Sequence, residues 1–437
     1  MTTKKINMKK SQILLFTALF FCQAIHSQSS FVKVKDHQFI LNNKPWYYIG
    51  TNYWYGGLLA IVKDPVKGKE RLKKELDFLH ANGVNNLRVL AGVEGTGNVN
   101  GVKRVAPSLQ TAQGKFNTDL LKGLDYLLVE MGKRNMKAII FLSNNWEWSG
   151  GFLQYLNWNG LLPDSIMRRK LTWDENRDYV KQFYTCDACK EAYRVQVKLI
   201  VNRVNTFTHK PYKTDAAIMA WELANEPRPM RADAIPEYTK WIDEASTLVK
   251  SFDKNHLVTT GAEGDMGTEN IEIFEAIHAF KNIDYLTIHI WPKNWGWFSD
   301  TAINKSFTSI VIRTADYISR HSQVAIRLDK PLVVEEFGLP RDLHSFVNGS
   351  GTNLRDNYYR TIFTMVNNSR KTKGVIAGCN FWGFGGNGRA AKNGNYWWSE
   401  GDDYLGDPPP EEQGLNSVFD NDTTTWKLIT TFTKQFK

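Results

Sequence analysis

At 437 residues the chain is long for one domain, but α/β barrels routinely reach this size as a single unit. Its net charge of +10 is mild, and its Lys and Arg residues are scattered through helical segments instead of forming a stripe, which leaves nucleic acid no electrostatic footprint. Hydrophobic content is ordinary at 42%, whereas the aromatic share of 13%, with 15 Trp, is high and points to a partner with flat faces.

The N-terminus carries an export pattern. Lys4, Lys5, Lys9 and Lys10 precede an apolar stretch over 13–25, and small and polar residues surround Ser27. The stretch is shorter than the roughly 20 residues of a membrane span. Residues 1–27 are therefore expected to be removed as a secretion signal, leaving a secreted or periplasmic protein with no membrane attachment. A lipid anchor on Cys22 would need a small residue before it, and Phe21 is not small. Removal of the leader lowers the charge to about +6.

No internal repeat, low-complexity tract or Pro/Ser-rich linker divides residues 28–437, and Pro408-Pro409-Pro410 lies too near the end to separate a second domain. A single catalytic domain is expected. Cys186, Cys189 and Cys379 remain in it. The Cys-x-x-Cys spacing lacks the second pair or His cluster that would complete a zinc tetrahedron, so it reads as a structural pair on one helix, able to form a disulfide after export.

Residues 31–46 alternate around an Asn42-Asn43 turn, as an opening β-hairpin that lids one end of a barrel. Apolar, β-branched runs at 47–51, 84–90, 138–142, 217–223, 257–261, 285–290, 332–336 and 375–382 read as buried parallel strands. Amphipathic helices are predicted over 67–81, 118–134, 174–207, 234–252, 271–280, 303–328, 353–370 and 424–436. Strands alternating with helices in this way predict the α/β class and a (β/α)8 TIM barrel. The segments after the third and eighth strands are long and aromatic, with Trp146, Trp148, Tyr155 and Trp158 in one and Tyr396, Trp397, Trp398 and Tyr404 in the other. Both fall on the face where barrel enzymes keep their chemistry, where indoles can stack on sugar rings or simply pack the loops together.

The runs Trp221-Glu222-Leu223-Ala224-Asn225-Glu226-Pro227-Arg228 and Val333-Val334-Glu335-Glu336-Phe337-Gly338 each deliver a glutamate from the end of an apolar strand. Glycosidic bond cleavage needs such a pair, one carboxyl protonated to release the leaving oxygen and one ionised at the anomeric carbon. Period-two alternation puts Glu222, Ala224 and Glu226 on one face and points Glu335 away from Glu336. Glu222 then reads as a carboxylate lower in the barrel, paired with a basic residue such as Arg88.

These two runs, with Asn86-Leu87-Arg88, His289 at a strand end and Phe381-Trp382 at the eighth strand, resemble glycoside hydrolase family five, in clan A. Gly50-Thr51-Asn52-Tyr53-Trp54 and the Arg228 after Asn-Glu-Pro resemble its endo-β-1,4-mannanase branch. The resemblance implies that Glu226 is the general acid/base and Glu336 the nucleophile of a retaining mechanism. It also implies that Arg88 keeps Glu336 ionised, that Asn225 contacts the sugar 2-hydroxyl and that Trp382 is the platform beneath the sugar. Trp54, Trp146 and His289 are expected to contact substrate. Many relatives carry a tyrosine at the position of Trp291, so an indole N–H would have to take over its hydrogen bond to the nucleophile. Trp295 and Trp297 either extend the groove or wall one end.

The implied substrate is a β-mannan such as mannan, glucomannan or galactomannan. A β-1,4-glucanase of the same barrel family is the nearest alternative, and a non-catalytic carbohydrate-binding protein the other. The latter would gain little from two close, like-charged carboxylates. The reaction needs no metal or organic cofactor, and no ligand-spaced cluster in the sequence calls for one. No sequence feature specifies an oligomeric state.

Overall fold

The structure, a computed structural model, describes residues 1–2, 31–61, 64–300, 302–391 and 397–436. The expected secretion signal lies almost wholly outside the described residues, and so does Tyr396. Eight parallel strands form the centre: β1 (Tyr48–Asn52), β2 (Asn86–Leu90), β3 (Lys137–Phe141), β4 (Ile218–Glu222), β5 (Leu257–Thr259), β6 (Leu286–Ile290), β7 (Leu332–Phe337) and β8 (Ile376–Phe381). Their hydrogen-bonded order is β5-β4-β3-β2-β1-β8-β7-β6. β5 is too short for a regular ladder to β6. The seam is closed instead by single bonds, Asp284 N to Val258 O at 2.8 Å, Thr259 Oγ1 to Tyr285 O at 2.9 Å and His289 N to Glu263 O at 2.9 Å. The result is the (β/α)8 barrel that the alternation of elements predicts.

The helices outside it are α1 (Pro65–Ala81), α2 (Thr118–Lys133), α3 (Asp187–Val201), α4 (Ile235–Phe252), α5 (Ile271–Ala279), α6 (Ile303–Leu328), α7 (Asn353–Thr372) and α8 (Thr423–Thr433). α1 shows why they form where they do. Asp64 caps its N-terminus by accepting from Lys67 N, Pro65 supplies a preset φ at the first position, and Leu72, Leu76 and Leu79 fall on one buried face.

The helix predicted over 174–207 is broken. Thr172 and Glu175 form a capping box that starts a short helix, Trp173–Val180, which runs into a 3-10 turn at Lys181–Tyr184. Cys186 then sits in extended backbone and caps α3, joined to Cys189 by a disulfide. Apolar periodicity persists across the break because Phe183 remains in the core, its ring stacked on Phe152 at 4.1 Å. The segment between β2 and α2 also holds two small ribbons that the sequence pattern does not announce, Asn98–Val99 with Val102–Lys103 and Gln110–Ala112 with Lys115–Phe116.

The opening hairpin is in fact three antiparallel strands, Lys33–Lys35, Gln38–Leu41 and Lys44–Pro45. Its turns place Asp36-His37 and Asn42-Asn43 at positive φ, the conformation that two-residue hairpin turns demand. Val32 and Phe39 pack against Tyr48, Met219, Leu257, Tyr285, Val333 and Ala377, all at or near strand starts. The sheet thus plugs the mouth opposite the one that carries the two glutamates.

Inside the barrel, Gly50 leaves room for an amide pair between Asn380 and Asn86, 2.8 Å apart; a Cβ there would meet Asn380 Nδ2 at 2.4 Å and Asn86 O at 2.5 Å. Higher up, Ile288 pairs with Val334 but His289 pairs with Glu336, so Glu335 is an extra residue in β7. This bulge corrects the expectation that Glu335 faces away from Glu336. An inserted residue resets the alternation, and both side chains are buried in the barrel interior.

Candidate active site

Arg88, fully buried on β2, organises the residues beneath the strand ends. Its Nε and Nη2 donate to the two oxygens of Glu222 at 2.7 and 2.6 Å, Nη1 donates to Asn52 Oδ1 at 3.1 Å and to Glu336 Oε1, and Nη2 also donates to Asn225 Oδ1 at 2.7 Å. Phe141 lies under the guanidinium at 4.8 Å. A planar fork satisfies these acceptors at once where a lysine could not. The pairing of Glu222 with Arg88 is as the sequence pattern predicts.

Glu336 is the penultimate residue of the bulged β7. Besides Arg88, it accepts from the Trp291 indole N–H at 3.0 Å, so the indole makes the hydrogen bond that a tyrosine would otherwise supply. Glu226 is reached differently. β4 stops at Glu222, and the chain continues through a bridge between Asn225 and Asn144 to Glu226 at φ 50°. Positive φ in a non-glycine residue is a conformation that cores seldom hold without a functional reason. One Glu226 oxygen accepts from the Trp146 indole and the other lies 2.7 Å from His289 Nδ1.

One carboxyl oxygen from each of Glu226 and Glu336 and a ring nitrogen of His289 lie within 4.8 Å of one another. Burial raises the Glu226 carboxyl above its ordinary value, against the opposing charges of Arg228 and Arg88 and the Trp146 hydrogen bond. Burial also raises Glu336, with Glu226 adding to the effect and Arg88 and Trp291 opposing it. Two like-charged carboxyls this close resist ionising together, which favours keeping one proton between them. The direct guanidinium contact favours the charge on Glu336. Burial pushes His289 down to about 3, which leaves its ring neutral. These same three residues have ligand spacing for a metal ion.

Above them opens a cavity of about 550 Å³ lined by Trp146, Trp148, Asn225, Glu226, Trp291, Glu336 and Trp382, among others. Trp291 and Trp382 meet edge to face at 5.6 Å. Trp54 does not reach this space. β1 ends at Asn52, and the following turn directs the Trp54 indole N–H to Gly406 O at 3.0 Å and its ring against Trp148 and Tyr404. The expectation that Trp54 contacts substrate is corrected to support of the loops.

A family model described as GH family 5 beta-mannosidase-like matches residues 29–437. The chain belongs to this family. Mannan endo-1,4-beta-mannosidase 7 of Arabidopsis thaliana is 30% identical over 366 residues, 80% of this chain and 77% of that one. Mannan endo-1,4-beta-mannosidase 4 of Solanum lycopersicum is 30% identical over 412 residues, covering 89% of this chain and 94% of that one. Among solved structures, a glycoside hydrolase family 5 mannosidase from Rhizomucor miehei, in complex with mannosyl-fructose, is similar with a TM-score of 0.83 at 33% identity, over 94% of this chain and 98% of that one.

In this family 5 protein the cavity also has walls that sequence reading passes over, Trp173, Glu263, Met266 and Glu411, beside Arg228 and Trp295, which it singles out. Trp173 stacks on Trp146 at 6.1 Å and is 52% exposed. Its position at the head of a helix, and not in a loop, hid it. Arg228 spans the Trp146 ring and Glu263, and Trp295 and Met266 complete that side, whereas Trp297 packs behind Trp295. Glu411, just past the proline run, enters from the segment after β8. Of the aromatic residues in the two long loops, Tyr155, Trp398 and Tyr404 are buried among other side chains, and Trp158 lies away from the cavity.

Proposed function

We propose that the protein hydrolyses β-1,4-mannosidic bonds with retention of anomeric configuration. The observation that carries this is the separation of the two carboxyls. An oxygen of Glu226 and an oxygen of Glu336 approach within 4.8 Å inside an aromatic-lined cavity, close to the roughly 5–5.5 Å of retaining enzymes and well short of the roughly 6.5–9.5 Å of inverting ones. Glu336, held by Arg88 and Trp291, attacks the anomeric carbon while Glu226 gives its proton to the departing oxygen. Water then attacks the same carbon, loses its proton to Glu226, and frees Glu336. Trp382 carries the sugar being cleaved, and Asn225, fixed by Arg88 and Asn144, faces its 2-hydroxyl.

The plant relatives are named mannan endo-1,4-beta-mannosidases, which supports internal cleavage of mannan, glucomannan or galactomannan. A second reading, removal of single mannose units from chain ends, is favoured by Glu411. Its carboxyl lines the cavity with no hydrogen-bond or ion-pair partner among the described residues, well placed to meet a terminal hydroxyl. Product profiles decide: mixed short oligosaccharides from mannohexaose mean internal cleavage, mannose alone means terminal cleavage, and faster release from carboxymethylcellulose than from mannan removes the mannan assignment.

Glu226→Ala and Glu336→Ala should each lose at least about 10²–10⁴-fold in kcat. Azide should restore turnover in both, with opposite anomeric outcomes. Full activity in either variant rules out the two-glutamate mechanism. Among the described residues no helix is long and apolar enough to cross a membrane. Residues 1–27 are assigned as a secretion signal; N-terminal sequencing of the exported protein, expected to begin near Gln28, is the check.

A further inference from the structure

Glu335 has no part in that chemistry, yet it lies in the barrel interior, where neither carboxyl oxygen has a hydrogen bond of ordinary geometry and the Glu222 carboxyl stands close enough to share a proton with it. The β7 bulge turns it there. Nearby stand other buried atoms without a hydrogen bond, the hydroxyls of Tyr48 and Tyr285 and the Nε2 of His289, which is 3.6 Å from Glu335 Oε2. The other nitrogen of the same ring, Nδ1, is 2.7 Å from Glu226 Oε1. Buried polar atoms without partners are rare in folded proteins. Here they line a path from a buried carboxyl, across one imidazole, to the glutamate assigned as acid/base.

We propose that Glu335 is a positioning residue that acts through His289, selecting which ring nitrogen carries the proton and so whether Glu226 is held ionised or protonated. This rests on the acid/base assignment of Glu226. In one state Glu335 is protonated and donates to Nε2, and the Nδ1–H donates to an ionised Glu226. In the other, Glu335 is ionised and accepts from Nε2–H, and a protonated Glu226 donates to Nδ1. Passing from the first to the second breaks the O–H of Glu335 and the N–H at Nδ1 and forms an N–H at Nε2 and an O–H on Glu226. Two protons move, for a net transfer of one from Glu335 to Glu226, and the ring is neutral in both states. The 3.6 Å gap closes by rotation of the carboxyl or through one bridging water. The state with Glu226 protonated is the one the first step needs; that proton leaves with the departing oxygen and is replaced from the attacking water, so the relay sets the resting state and is not itself a turnover step.

The groups facing Glu335 fit this role. Arg88 Nε on β2 lies 3.7 Å away, close enough to support the ionised state. Glu222 on β4 and Glu336 beside it on β7 favour the protonated one, and burial does so more strongly. Tyr48 and Tyr285 border the same interior, with the Cys379 thiol of β8 beyond Tyr48.

Glu335→Gln tests the proposal, because it removes the charge that supports the Nε2–H state while its amide can still pair with Nε2 as donor or acceptor. The protonated state of Glu226 then loses that support, and the basic limb of kcat/KM against pH should move acidward by about one unit, tenfold in proton concentration. In the unaltered protein, nitrogen NMR of 15N-labelled histidine should show the His289 proton on Nε2 at pH below that limb, where Glu226 is protonated, with the ring never charged. Superimposable pH profiles, or a His289 proton on Nδ1 below that limb in the native chain, overturn the proposal, and the NMR reading stands even if the variant does not fold. Native activity in Glu226→Ala would remove the acid/base assignment and this proposal with it. A large loss there combined with an unmoved Glu335→Gln limb removes this proposal alone.

Discussion

Arg88 concentrates the electrostatics of the site in one side chain. Replacing it by Met leaves Glu222 and Glu336 buried without a cation, and losing one partner of such a cluster costs about 3–5 kcal/mol. The urea midpoint of Arg88→Met should fall accordingly. Without the guanidinium Glu336 is also harder to ionise. Because the nucleophile works ionised, the acidic limb of kcat against pH should move to higher pH; a limb that stays in place would separate Arg88 from the charge on Glu336. On the leaving-group side, the exposed Trp173 extends the face of Trp146. Trp173→Ala should lower kcat/KM on mannotetraose roughly threefold to tenfold, matching about 0.5–1.5 kcal/mol of stacking, with a smaller effect on mannobiose. Equal losses on both substrates would argue against a platform.

Strand ends were the most legible feature at this scale. A glutamate closing an apolar run has few places to go but the barrel mouth, which is why the places of Glu336 and of the Arg88–Glu222 pair can be read directly, whereas Glu226 lies beyond the end of β4 and is singled out by the family resemblance. Glu335 cannot, since a bulge is a property of two strands in register and a single sequence displays only one. Trp54 misleads for the related reason that its side chain direction is set by where β1 stops.

Among the elements, the region between β3 and α3 departs furthest from its pattern. Apolar periodicity marks a helix wherever one face stays buried, but it is blind to a change of axis, and Phe183 and Tyr184 stay buried through the turn. The cues that matter there are local, the Thr172–Glu175 box and the extended Cys186. The disulfide closes a loop only three residues apart in sequence, so the loop-closure entropy it removes from the unfolded chain is small. The double substitution Cys186→Ser and Cys189→Ser should cost about 2 kcal/mol or less, read as a modest fall in Tm that reductant reproduces in the native protein. A collapse of the fold would mean that the bridge does more than pin the start of α3.

For the whole molecule, acid is the weak point. Burial depresses His278 and His289 to about 3 and His321 to about 4, whereas an unfolded histidine titrates near 6.5. Protons therefore bind the unfolded chain first. The stability these rings contribute is complete above the unfolded value and is lost as pH falls from there towards their folded values. Between pH 6.5 and 5.5 each should forfeit about 1 kcal/mol. Urea midpoints measured at both values test this, and His278→Asn should shrink the difference by about a third. Because the buried carboxyls with raised values gain stability over the same interval, the comparison of the native protein with His278→Asn is decisive, and a difference that the substitution leaves unchanged would contradict the burial of that ring as a neutral base.

The plug of Val32 and Phe39 has a kinetic corollary. With the far mouth corked, whatever hydrates the column between Tyr285 and Glu336 must enter past the saccharide. Once a chain is seated, the column is a closed compartment whose stock of water and exchangeable hydrogen is fixed at loading. Isotope carried in on the Tyr48 hydroxyl, which the relay does not include, should then outlast one turnover, even in a protein whose surface has already exchanged.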